Sequence, residues 1–336
     1  MNRTHLILAI IIAILAPALL MAQDADVVYL EGFPTLRSGG ATRDLDFGLV
    51  IRPGDSVVTG RRDFAELDQA GNSIRINSDT VFTVREIERD GRRETVLTNT
   101  VGSVAFRFQT LAGRQQQVGT ATAVAGVRGT EFTVYAGSDG SSLFGVDSGL
   151  ITVESAGVGV DVAAGQAVEV RAGEAPGEVV QWVGRQLDFS EWEQDRFNLF
   201  LDDPVGTMQR LRARLGQFAS EMETHVTSFQ FWNEEITRLR AEFEAAATDE
   251  EKQQLRDEFI FPAMNNAATE VLNYRFYSLS ALSLRRFVVG RLYVEMKTRF
   301  MLDANNPVFE TFSREYQLFL DQFNGRFPDF LVPADI

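Results

Sequence analysis

Apolar and polar residues alternate through the first half of the chain, as at Val104, Phe106 and Phe108 and again at Val158, Val160 and Val162. A period of two sends successive side chains to opposite faces of a β-strand. The turn-forming clusters PGD, AGN, RDG, LAG, SDG and AAG interrupt the alternation roughly every ten residues, which makes the strands short and evenly spaced. That spacing predicts either a sandwich or a solenoid-like stack. Beyond Asp203 the period changes. Met208, Leu211, Leu215, Phe218, Met222, Phe229, Trp232, Ile236, Leu239 and Phe243 keep alternate steps of three and four when His225 is counted in the one gap, the seam of a long helix. Asp203 with Pro204 predicts its start and Ala247 its end, Asp249 caps a second helical stretch kinked at Pro262, and Asn306 with Pro307 opens a last helix ending near Gly325. Long helices joined by short polar turns predict an antiparallel helical bundle, with the segment from Val271 to Leu302 filling the seam.

Residue usage divides the chain. Leu6 to Met21 is apolar apart from Pro17, follows Arg3 and His5, and ends at the small residue Ala22, which reads as a secretory signal peptide over residues 1–22. The run is shorter than the roughly 20 residues that span a bilayer, and an uncleaved anchor is the alternative. Of 27 glycines, 23 lie at or before Gly184, and of 26 phenylalanines, 18 lie after it. A β domain over 23–184 and a helical domain over 185–336 follow, with the boundary between Gly173 and Ser190. There is no cysteine, so stability must come from packed cores rather than disulfides.

The stretch VAGVRGTEFTV, Val124 to Val134, places Arg128 between Gly126 and Gly129 inside a strand pattern. Glycine in a strand marks a bend or a close backbone approach, and an arginine held there is suited to tying down neighbouring carbonyls or a carboxylate. The bend joins an ordered series: Gly54 and Asp55, Thr59 and Gly60, Gly71 before Asn72 and Ser73, then Arg128, Gly129, Thr130 and Phe132, then Gly149 in SGLITV and Gly165 in AAGQ. Taken together, from Leu30 to Gly173, this series resembles a FecR domain. The resemblance implies an all-β extracytoplasmic module, a β-helix-like stack of short strands, with motif residues that serve the fold and no catalytic residues to carry over. The namesake of the family passes a transporter signal inward through a membrane span to a cytoplasmic segment. Only five residues precede the apolar run here, which disfavours that direct mode of regulation.

Catalytic chemistry is hard to assemble from the remainder. Without the signal peptide only His225 is left among the histidines, and it falls on the apolar seam. No zinc spacing, phosphate-cradling glycine loop or GxSxG elbow occurs. The acid pairs Asp44 with Asp46 and Asp202 with Asp203 read as loop residues and caps, and GSDGSS around Asp139 lacks the alternating acids of a calcium loop. The expectation is therefore no catalytic residue, no cofactor and no metal. A formal charge of −15 excludes a nucleic-acid partner. The apolar segment 271–302 carries Arg275, Arg285, Arg286, Arg291 and Lys297, too many charges for one membrane span. It reads as a buried helix, or alternatively as an interaction patch rimmed by Arg285, Arg286 and Arg291. Three functions are consistent with this: an exported non-enzymatic binding or assembly module of the cell envelope, whose helical region contacts an envelope protein or a second copy; a component of envelope signalling; and an envelope polysaccharide enzyme with a carboxylate pair drawn from distant strands.

Overall fold

In the computed structural model, which describes residues 24–89, 92–109, 116–127, 129–182, 189–303 and 305–327, the alternating half of the chain folds into seventeen strands that shuttle between two sheets. The first sheet receives β1 (Ala25–Glu31) and the second receives β2 (Thr35–Ser38) and β3 (Ala41–Asp44). Then β4 (Val50–Ile51) returns to the first, β5 (Ser56–Val58) enters the second, and the hairpin of β6 (Phe64–Gln69) and β7 (Asn72–Ile76) lies in the first. After β8 (Val81–Arg89) in the second sheet comes β9 (Arg92–Arg107), which belongs to both. Hairpins then alternate: β10 (Gln116–Gly119) and β11 (Val124–Val127) in the second sheet, β12 (Glu131–Ala136) and β13 (Ser142–Ser148) in the first. The pattern closes with β14 (Leu150–Ser155) and β15 (Val158–Ala163) in the second and β16 (Gln166–Val170) and β17 (Val179–Gln181) in the first. Spatial order is β4-β1-β6-β7-β9-β12-β13-β16-β17 in one sheet and β3-β2-β5-β8-β9-β10-β11-β14-β15 in the other. Neither closes into a barrel. All pairings are antiparallel except β9 with β10.

This is a sandwich assembled by the back-and-forth route of a solenoid. Its core lies between the sheets, where Phe82 and Val84 of the second sheet meet Ile74, Phe106, Phe132 and Phe144 of the first, all buried. Phe106 stacks on Phe132 with ring centres 5.1 Å apart and reaches Phe82 at 6.4 Å. Each buried Phe of this kind contributes about 1.5–3 kcal/mol. The strand common to both sheets turns at Gly102, whose φ is +100° and where a Cβ would stand 2.3 Å from the Thr80 hydroxyl oxygen. Buried Asn99 fixes the bend by donating to the carbonyls of Gly102 and Val134, both at 3.0 Å.

The helical half comprises α1 (Phe189–Asp202), α2 (Pro204–Ala245), α3 (Asp249–Gln254), α4 (Phe261–Ser283), α5 (Gly290–Arg299) and α6 (Pro307–Arg326). Asp203 caps α2 as expected, accepting the Gly206 N–H at 3.0 Å. The cap of α3 is Thr248 rather than Asp249: its hydroxyl accepts the Glu251 N–H at 3.2 Å while the Glu251 carboxylate takes the Thr248 N–H, a reciprocal pair open to the residue one place before the acid. No sharp break marks Pro262. A widened π-helical turn over Leu255–Ile260 precedes it and makes room for a ring that clashes with the carbonyl four residues back in a regular helix. A second such turn, Leu284–Val289, joins α4 to α5.

Met208, Leu211, Leu215, Phe218 and Met222 of the seam pack with Leu284, Val288 and Leu292, as expected, and also with Phe312, Phe319 and Phe323 of α6. The rest of the seam departs from expectation, because Ile236 and Leu239 meet Ile260, Ala263 and Ala267, which lie before residue 271. Helix α1, absent from the sequence reading, is pinned to the outer face of the first sheet. Its Phe189 and Trp192 enclose Tyr135 together with Trp182, and Arg196 pairs with Glu169. The expected signal peptide (1–22), the turns at Asp90–Gly91 and Leu111–Gly113, Gly184 and Arg128 lie outside the described residues. Among the described residues no helix is long and apolar enough to cross a membrane.

A candidate binding cleft between sheet and helices

Alternation along β8 sends Phe82 and Val84 into the sandwich, and by the same rule Arg85 and Ile87 face outward. Their outward face is covered by α4. Arg85 is only 4% exposed, and its guanidinium donates to the Ser280 hydroxyl, to the Ser283 hydroxyl at 2.7 Å and to the Leu279 carbonyl at 3.3 Å. It also lies 5.9 Å above the ring of Phe276. Ser280 and Ser283 are one turn apart on α4, so one guanidinium reaches both.

Every oxygen that Arg85 meets is neutral. Among the described residues no carboxylate forms an ion pair with it, and burial alone pushes its pKa down to about 10. Its Nε is buried and has no partner among the described residues. Beside it opens a cleft of about 440 Å³ between the outer face of the second sheet and α2 and α4. The sheet side contributes hydroxyls from Thr98, Thr120 and Thr152, and the helix side Arg214, Phe218 and Tyr277. Half-buried Arg214 stands 4.7 Å over the Phe218 ring and donates to Gln217 at 2.8 Å; burial lowers its pKa and the nearby Glu221 opposes that. Its Nε too is buried without a partner among the described residues. Glu154 and Glu221 are exposed at the mouth. A concave site with an apolar wall, several hydroxyls and convergent cations, where two structural units meet, has the physical make-up of a small-ligand site.

The sequence motifs lie elsewhere, at joints of the sandwich. Asp55 accepts the Arg52 N–H at 2.9 Å and closes the turn holding Gly54, whose N–H bonds the Val84 carbonyl at 2.8 Å. The buried Thr59 hydroxyl donates to the Asn77 carbonyl at 2.6 Å and accepts the Thr80 N–H at 2.9 Å; Gly60 donates to Asp63 at 2.7 Å. Gly71 forms the β6–β7 turn, donating to Asp68 at 3.0 Å. Gly129 and Gly149 approach so closely that a Cβ on Gly149 would stand 2.8 Å from the Gly129 oxygen. Thr130 donates to the Leu150 carbonyl at 3.2 Å, Phe132 lies in the core, and the Gly165 carbonyl accepts the Trp182 N–H at 2.7 Å.

The three arginines of the expected interaction patch turn toward three different elements. Arg285 covers Phe323 of α6 at 4.6 Å, Arg286 shares Phe287 with Arg37 of β2, and Arg291 lies 3.5 Å from Glu193 of α1. His225 occupies its place on the seam, 2.7 Å from Glu270 and stacked on Tyr277. Asp139 is buried and satisfied by the N–H and hydroxyl of Ser141 at 2.9 and 2.7 Å. Among the described residues no three His, Cys, Asp or Glu side chains are placed to hold a metal.

Sequence reasoning passed over Arg85 and Arg214. Along β8 the outward positions Thr83, Arg85 and Ile87 read as a mixed, solvated face, and the one departure from a plain pattern is SLSALS, Ser278 to Ser283, where hydroxyls recur in an apolar helix.

Residues 55–152, from the turn before β5 to the middle of β14, match the FecR protein family and include most of the sheet wall of the cleft. Among solved structures the chain is similar to two crystal structures of a "putative anti-sigma factor" from Parabacteroides distasonis ATCC 8503, at 15% and 17% identity and a TM-score of 0.32 for each. The similarity covers 38% of this chain and 58% of theirs, so the chain spans little more than half of their length. No curated protein matches the chain.

Proposed function

We propose that this chain, which carries a FecR domain at residues 55–152, works outside the cytoplasm as a non-enzymatic binding module of the cell envelope, in a role related to envelope signalling. The observation that carries the reading is that the family-matched segment forms one wall of a cleft whose other wall is helical. The sandwich supplies a rigid surface, and the helices laid across it couple occupancy of the cleft to the rest of the helical half. The leading segment Leu6 to Met21 supports export. Toward a partner the helical half offers the outer end of α2 and the start of α4, where Phe231, Phe259 and Phe261 are about half exposed. Aromatic side chains left in water on adjoining elements favour a protein contact, with an envelope protein or a second copy.

Fractionation of cells expressing the full chain tests this. The mature protein is expected outside the cytoplasm with an N-terminus near Gln23, and photo-crosslinkers placed at Phe231 and Phe261 are expected to trap one discrete product. Intact Met1 in the cytoplasm would overturn export. Absence of crosslinks together with hydrolysis of an envelope polysaccharide would replace the binding module with an enzyme.

A further inference from the structure

We propose that the cleft takes a small hydroxyl-bearing monocarboxylate, the chemistry of a sugar acid, with its carboxylate between Arg85 and Arg214. The inference rests on the cleft being a binding site and adds the class of ligand.

Five observations converge. Arg85 is 4% exposed, yet its partners among the described residues are two hydroxyls, a carbonyl and a ring face, so a full positive charge sits in a low-dielectric wall without a counter-charge. The Nε atoms of Arg85 and Arg214, buried and without partners among the described residues, leave donors free, and the guanidinium fork suits a carboxylate. The Thr152 hydroxyl donates to Asp161 at 2.7 Å and leaves its oxygen to accept, and with Thr98 and Thr120 it gives the sheet wall the alcohols that recognise a polyol. Opposite stand Phe218 and Tyr277, apolar surface for the carbon face of a ring. At about 440 Å³ the space admits a small molecule rather than a chain.

The mouth sets the charge of the ligand. Glu154 and Glu221 are exposed there, so a dianion such as phosphate meets repulsion that a single buried carboxylate avoids. The net charge of −15 acts in the same direction against polyanions.

Isothermal titration of the purified full chain with glucuronate, with glucose as the neutral counterpart and with inorganic phosphate tests the assignment. Glucuronate is expected to bind and the other two to bind at least about tenfold more weakly, as loss of a charge-assisted pair implies. Arg214→Gln is expected to weaken glucuronate by about tenfold or more, and Glu221→Gln, an exposed change that leaves the fold alone, to tighten it a few-fold. Circular dichroism melting checks that each variant is folded; should Arg214→Gln unfold, the Glu221→Gln effect and the glucuronate-to-glucose ratio decide. Equal binding of glucose and glucuronate would overturn the anion assignment while leaving a binding cleft. Binding of none of the three would overturn the proposal and leave Arg85 as a structural clamp between the sheet and α4. The envelope reading stands or falls separately, on fractionation and crosslinking.

Discussion

A guanidinium held from water without a carboxylate is destabilising, and at Arg85 three neutral oxygens and one ring offset that burden. Truncation to Ala removes those bonds and opens a hole, so Arg85→Ala should lose on the order of 1–3 kcal/mol by urea denaturation. Arg85→Met keeps the length and sheds the charge, and should be close to neutral. The pH dependence separates the two contributions. Burial lowers the pKa of this base in the folded state to about 10, well below its ordinary value in the unfolded chain, so between the two the unfolded state binds more protons and stability rises with pH. The penalty is fully present below about pH 10, and the wild type should gain on Arg85→Met as the pH climbs above it. Backbone geometry gives a second contrast. Gly102→Ala combines φ +100° with a clash against Thr80 and should cost roughly 3 kcal/mol or more, while Gly165→Ala, at φ +76° with open space around it, should cost about 1–2 kcal/mol. Urea midpoints rank the pair. The turn glycines were legible in the sequence because turn chemistry is local. Arg85 was not, because an arginine facing outward on a strand looks the same whether water or a helix lies over it.

Among the elements, the strands and the long helix follow from period alone, since two and 3.6 are easily told apart over a dozen residues. What escaped is set by contacts between elements. Helix α1 gives Trp192 to the aromatic cluster on the first sheet and Phe200 to the helical core, so its apolar positions serve two surfaces and present no single stripe. The seam of α2 was legible, but not its change of partner, because the π-helical turns before Pro262 and after Ser283 shift the facing positions of the second strand of helix. The start of α3 gives a direct test of local chemistry. Thr248→Ala removes a reciprocal cap and should cost about 1 kcal/mol, while Asp249→Ala should cost only a few tenths through the helix dipole. Thermal unfolding of the two variants distinguishes them.

At the scale of the molecule, the β-then-α order was readable from composition, whereas the docking of α4 on the second sheet was not, since Thr83, Arg85 and Ile87 have the mixed character of a solvated face. The structure joins the halves there. Ala172, just past β16, belongs to the helical core, Arg210 of α2 approaches Glu174 at 3.6 Å, and Arg37 of β2 lies over Phe287. Residues 24–182 expressed alone should keep a strand-type circular dichroism spectrum, because the sandwich core is its own. Their melting temperature should fall below that of the full chain, since Arg85 and Ile87 lose their cover. Arg85 ties the sheet wall of the cleft to α4 through Leu279, Ser280 and Ser283. Hydrogen exchange of the full chain, wild type against Arg85→Ala, measures this directly: protection should drop together in β8 and in α4 around residues 276–283, whereas loss confined to β8, with α4 unchanged, would contradict a cleft whose walls are held by Arg85.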